Sequence, residues 1–102
     1  MKIACTCGAT IHDAADGQRG KAHVIPDTAL HPLLDALDDL ILKRCTTDTG
    51  REAACTQLRS LLTKATRQAW QCATCGRLHI DDAARKLQAY TPEAGASKTL
   101  FA

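Results

Sequence analysis

At 102 residues with a formal net charge of +2, the chain has room for one domain of ordinary size, and its charge is too small to announce a nucleic-acid or membrane partner. Apolar residues make up 45% of it, but alanine supplies much of that share and Trp70, Tyr90 and Phe101 are the only aromatics, so the core available per residue is thin. Six cysteines can compensate in two ways, as disulfides in an oxidising compartment or as thiolates on a metal in a reducing one.

The opening Met1-Lys2-Ile3-Ala4-Cys5-Thr6-Cys7-Gly8 has no apolar run of signal-peptide length, and no later segment approaches a membrane span. A cytoplasmic setting is therefore expected, which moves the cysteines away from disulfides and toward a metal. The first predicted element is a β-hairpin over residues 3–26. Its strands occupy about residues 10–13 and 21–25, joined by Asp16-Gly17-Gln18-Arg19-Gly20 and stopped by Pro26.

A helical hairpin is predicted over residues 28–68. Leu30, Leu33, Leu34, Leu37, Leu40, Ile41 and Cys45 recur at spacings of three and four and line one face of a first helix, while Asp35, Asp38, Asp39 and Lys43 form its solvated face. Pro32 suits the first turn of that helix. Residues 46–50 break the pattern; Thr49 and Glu52 have the spacing of a capping box, and Ala54, Cys55, Leu58, Leu61, Leu62 and Ala65 give the second helix its apolar stripe.

The last predicted element is a hairpin over residues 70–92, with strands at about 77–81 and 86–91 around a turn at 82–85. Residues 1–93 thus form one domain, and 94–102 a tail that is either loose or docked through Leu100 and Phe101. The two ends share a weak internal repeat: Thr6-Cys7-Gly8, Ile11-His12-Asp13-Ala14-Ala15 and Ile25-Pro26-Asp27 match Thr74-Cys75-Gly76, Ile80-Asp81-Asp82-Ala83-Ala84 and Thr91-Pro92-Glu93.

Inside that repeat lie the residues that carry chemistry. Alternate residues of a strand face the same way, which predicts that Cys5 and Cys7 present both sulfurs to one ion; Cys72 and Cys75 meet through a tight turn that Gly76 permits. Four thiolates in two glycine-followed pairs match the closed Cys₄ shell of structural zinc, so the metal ligands expected are Cys5, Cys7, Cys72 and Cys75. Iron takes the same ligands, and zinc is favoured because nothing resembles an electron-transfer site. Cys45 and Cys55 read as small hydrophobes on helix faces, too far apart for a disulfide. His12, His23, His31 and His79 read as surface or strand residues, and Trp70 as a packing residue beside the second cysteine pair.

The pattern is similar to the zinc-ribbon class: α+β, two β-hairpin zinc knuckles with an inserted antiparallel helical hairpin. It resembles small uncharacterised bacterial zinc-ribbon proteins carrying an aromatic, the run Cys72-Ala73-Thr74-Cys75-Gly76-Arg77-Leu78 and a strand. It also resembles the redox-switch zinc domain of a bacterial heat-shock chaperone, where Cys-x-Cys precedes Cys-x-x-Cys across a shorter spacer. These likenesses bring no activity with them; the closed four-cysteine shell, and the lack of a nucleophile, base or carboxylate pair at a catalytic spacing, point to a Zn²⁺ binding or adaptor module that is not an enzyme. A protein partner is expected; a redox-sensitive zinc switch is the alternative. A nucleic-acid-binding ribbon is the further one, drawing on Arg67, Arg77, Arg85 and Lys86 but lacking an aromatic stacking platform.

Overall fold

Two helices interrupt a run of short strands. The computed structural model describes residues 1–13 and 17–101, in the order β1 (Lys2–Ala4), β2 (Thr10–His12), β3 (Lys21–Val24), α1 (Asp27–Arg44), α2 (Asp48–Ala65), β4 (Arg67–Gln71), β5 (Leu78–Asp81) and β6 (Leu87–Tyr90). The fold is α+β, with two antiparallel helices placed in the chain between strands. By compactness it divides into two units: Met1–Val24 with Gln68–Ala102, and Ile25–Arg67. The strand unit thus draws on segments before and after the helical hairpin in the chain.

In the strand unit, β1 and β2 pair antiparallel with Ile3 opposite Ile11, and the other strands form a four-stranded sheet in the order β3-β4-β5-β6. This corrects the first predicted hairpin. The strands at 10–12 and 21–24 both form, but they do not pair with each other: β2 takes β1, and β3 takes β4. Both partners are strands that the apolar pattern did not reveal, because a three-residue strand and a strand continuous with a helical stretch carry little periodicity of their own. The Ala14, Ala15 and Asp16 portions of the predicted repeat and turn, like Ala102, lie outside the described residues.

The second predicted hairpin is present, with Leu78 opposite Tyr90 and Asp81 opposite Leu87. Its turn has no glycine, and Arg85 takes the left-handed conformation instead, at φ 63°. Asp82 holds this turn by accepting the N–H groups of Ala84 and Lys86 on its carboxylate, which keeps that carboxyl below the usual range chiefly through the Lys86 N–H.

β4 is the core strand. Ala69, Trp70 and Gln71 are all buried, Trp70 with only 1% of its surface exposed. Lys21 places its ammonium 5.8 Å from the centre of the Trp70 ring and pairs with Asp13 at 2.7 Å, so an indole, a cation and a carboxylate are stacked at one edge of the sheet. Gln71 binds the final segment: its amide donates to Ser97 O at 2.8 Å and to Gly76 O at 3.2 Å, and accepts from Leu100 N at 2.8 Å. The predicted tail is therefore part of the strand unit, held by backbone hydrogen bonds to a buried amide, while the Leu100 side chain stays exposed.

In the helical unit, α1 starts at Asp27, one residue before the predicted bound, and Pro32 lies inside the helix and not in its first turn, so its ring removes one backbone hydrogen bond. The cap of α2 is Thr47, whose hydroxyl accepts Gly50 N at 2.9 Å, in place of the predicted Thr49 and Glu52 pair. Gly50 is required for the tight connection, because a Cβ there would overlap the Arg44 carbonyl oxygen.

Candidate metal centre

β1 delivers Cys5 and β4 delivers Cys72, and each strand then runs into a turn built on the same hydrogen bonds. Cys5 donates its N–H to Ala9 O at 2.9 Å while Gly8 N donates to Cys5 O at 3.0 Å; Cys72 donates to Arg77 O at 2.9 Å while Gly76 N donates to Cys72 O at 2.8 Å. Gly8 at φ 96° and Gly76 at φ 80° occupy the left-handed conformation that lets each chain fold back over its sulfurs. Cys5 and Cys7 thus meet through a turn, not through the strand alternation predicted for them: Cys7 and Gly8 lie past the end of β1.

The two turns bring the Cys5, Cys7, Cys72 and Cys75 sulfurs within 4.8 Å of one another. Cys5 Sγ lies 3.5 Å from Cys75 Sγ and Cys7 Sγ 3.6 Å from Cys72 Sγ. All six cysteines are free. These separations are well beyond the ~2.05 Å of a disulfide. They match the edge of about 3.8 Å that a tetrahedron of sulfurs has around an ion at about 2.3 Å. Each turn contributes one buried sulfur, Cys5 or Cys72, and one more open one, Cys7 or Cys75. The donor set is all soft sulfur, which suits zinc or iron over a hard oxygen-seeking cation.

The surroundings favour negative charge on these sulfurs. The Cys5 thiol is lowered to about 5, chiefly by the Cys7 N–H, against the cost of burial and with further help from His79, Arg77 and Cys75. Cys72 is lowered too; burial opposes, and the Cys75 and Thr74 N–H groups outweigh it. Cys7, despite an N–H from Ala9, is pushed up to about 11 by desolvation and by the three sulfurs around it. Four converging thiols cannot all ionise side by side, and a divalent cation at their centre removes that conflict.

Two side chains outside the ligand set complete the centre, and the sequence reading missed the role of both. Arg77, grouped by sequence with Arg67, Arg85 and Lys86 as a basic surface, turns its guanidinium to Cys5 Sγ at 3.7 Å and to the Thr6 hydroxyl, with Thr91 Oγ1 at 3.4 Å; its own N–H donates to Cys75 Sγ at 3.4 Å. His79 sits opposite Trp70 across β4 and β5, is 4% exposed, and supports the Cys5 thiolate. The signal for Arg77 was its place two residues after Cys75; for His79 it was strand alternation from Arg77. His12, His23 and His31 are not among the clustered ligands. Cys45 and Cys55 line a groove of the helical unit, with Cys55 exposed and not the core hydrophobe expected.

The fold and site define a small α+β protein with a cluster of four cysteines at metal-binding distances, drawn from the segments before and after a helical hairpin. A family model described as Domain of unknown function (DUF8617) matches residues 1–94, and the chain belongs to that family. No curated protein and no solved structure matches it. None of the described helices is long and apolar enough to cross a membrane.

Proposed function

We propose that this protein is a zinc-stapled binding module of zinc-ribbon type, in which Cys5, Cys7, Cys72 and Cys75 hold one Zn²⁺ as a structural element and the partner is another protein. The observation that carries this reading is the convergence of the four sulfurs within 4.8 Å without a disulfide. Four protein ligands fill a tetrahedral shell and leave no position for water or substrate, which is the arrangement of structural and not catalytic zinc. The reading is therefore non-enzymatic. Arg77 offsets part of the negative charge that four thiolates place around a divalent ion. The engagement of Arg77 at Cys5 also takes one cation away from the basic surface that a nucleic-acid partner would use. Metal analysis of protein purified without added metal tests the proposal: one zinc per chain is expected, lost on Cys72→Ser and retained on Cys55→Ser. Iron in its place, or no metal, overturns the assignment.

A redox-sensitive switch is the second reading, favoured by the two close pairs, Cys5 with Cys75 and Cys7 with Cys72. In each pair two thiolates would lose two electrons to one peroxide, forming one S–S bond while peroxide and two protons become two waters, and the ion would be released. A zinc-sensitive dye during peroxide titration separates the readings. Release of one zinc per two peroxides supports the switch, and retention of zinc in excess oxidant removes it.

A further inference from the structure

The helical unit is short of core. Its helices are 18 residues each, about 27 Å long, and Leu33 and Ala54 are the only fully buried residues in them. The large apolar side chains left open include Leu34 at 45%, Ile41 at 63% and Leu62 at 38%. Apart from Leu42, which is 75% exposed on another side of α1, they are not scattered. Leu34, Leu37 and Ile41 follow one another along α1 at helical spacing, and Cys55, Leu58 and Leu62 do so along α2. Leu37, Ile41, Cys55 and Leu58 line the two sides of one groove of about 300 Å³. An apolar stripe on each of two neighbouring helices, with a groove between, is half of a four-helix bundle.

We propose that this face binds a second copy of the chain, the two hairpins joining about a twofold axis that runs along the groove. Charge selects this occupant. On the two stripes the charges not already paired within a helix are Asp38 on α1 and Arg59 on α2; Asp39, Lys43, Arg44 and Lys64 line a different groove, and Arg51 pairs with Asp48. A twofold axis along the groove sets α1 of each copy over α2 of the other, so this opposite-charge pair makes the face complementary to itself. The register is specific. Asp38 stands between Leu34 and Ile41 on its stripe, and Arg59 stands between Cys55 and Leu62 on the other. Leu37 and Leu58 both line the groove, each one residue before its charged neighbour, so the twofold brings Asp38 of one copy over Arg59 of the second, twice per dimer. Both side chains are exposed, and the ion pairs among the described residues involve neither. The surface lies wholly in the helical unit and goes beyond the metal reading, on which it does not rest.

Sedimentation velocity on the full, metal-loaded chain tests the assignment. Twice the chain mass of 10.9 kDa is expected. Asp38→Arg alone sets arginine over arginine, and Arg59→Glu alone sets aspartate over glutamate, so each variant is expected to sediment as a monomer with helical ellipticity retained. Mixing the two variants in equal amounts restores attraction at both pairs and is expected to return the dimer, as is the double variant. A wild-type monomer at concentrations up to about 100 µM, far above a typical specific Kd, overturns the proposal. So does a dimer that both single reversals leave intact, or two monomeric variants whose mixture stays monomeric. Loss of metal in the Cys72→Ser chain with the dimer unchanged would separate the two sites.

Discussion

Arg77 places its guanidinium 3.7 Å from the Cys5 sulfur, 72 positions back along the chain, while its own backbone N–H reaches Cys75 Sγ two positions before it. One residue thus touches both cysteine turns. Cys5 in return holds the guanidinium pKa above its ordinary value, first through this hydrogen bond and then through its charge. Removal of such an outer partner commonly costs about 10–100-fold in metal affinity. Arg77→Ala is expected to fall in that range in competition with a chromogenic chelator, and Arg77→Lys to lose less, since it keeps the charge and not the fork. Unchanged affinity in Arg77→Ala would show that the guanidinium is a bystander.

Metal removal should act on one unit more than the other. Structural zinc contributes on the order of 10 kcal/mol in comparable small folds, and all four ligands lie in the unit that contains Trp70, the sole tryptophan. Chelation is expected to shift Trp70 emission to the red and lower the melting temperature, with helical ellipticity changing far less. Return of zinc should reverse both. Identical fluorescence with and without metal would contradict a stapling role.

Gln71 makes a prediction about the segment after Glu93. Its buried amide holds Ser97 and Leu100, and stranding those groups costs about 1–3 kcal/mol. Gln71→Leu is expected to destabilise the protein by that order in denaturant titration and to expose residues 94–101 to limited proteolysis. Equal cleavage rates in variant and wild type would mean that other contacts hold the segment.

Gly50 tests the helical connection by sign. Inside an exposed helix Gly→Ala stabilises by about 1 kcal/mol. Here the added Cβ would meet the Arg44 carbonyl oxygen, and overpacking of this kind costs about 1–3 kcal/mol. Gly50→Ala is expected to lower the melting temperature, and a rise would show that the turn opens freely.

The clustered cysteines and the helices were readable because their signals are local. Two cysteines followed by glycine describe a turn without reference to the rest of the chain, and leucines at spacings of three and four describe a helix face. Strand partners were not readable in the same way. Residues 10–12 and 21–24 look like a hairpin because a glycine-rich turn lies between them, but each pairs elsewhere, with Lys2–Ala4 and Arg67–Gln71. Pairing is chosen by cross-strand packing over long separations, and Trp70 on β4 offers more buried surface than anything on β2. Arg77 and His79 were hidden for a related reason: a side chain's hydrogen bond to a sulfur 72 positions away leaves no periodic trace.

The placement of the helical hairpin between the two cysteine turns also sets an order of events during synthesis. Cys5 and Cys7 leave the ribosome long before Cys72 and Cys75, so a nascent chain holds only two of the four clustered sulfurs until residue 72 has been made. The helices, whose contacts are sequence-local, have time to form in that interval, whereas the strand unit must wait. A premature stop between Ala65 and Cys72 would therefore release both helices with half of the clustered thiols, unable to retain an ion tightly and open to oxidation or degradation.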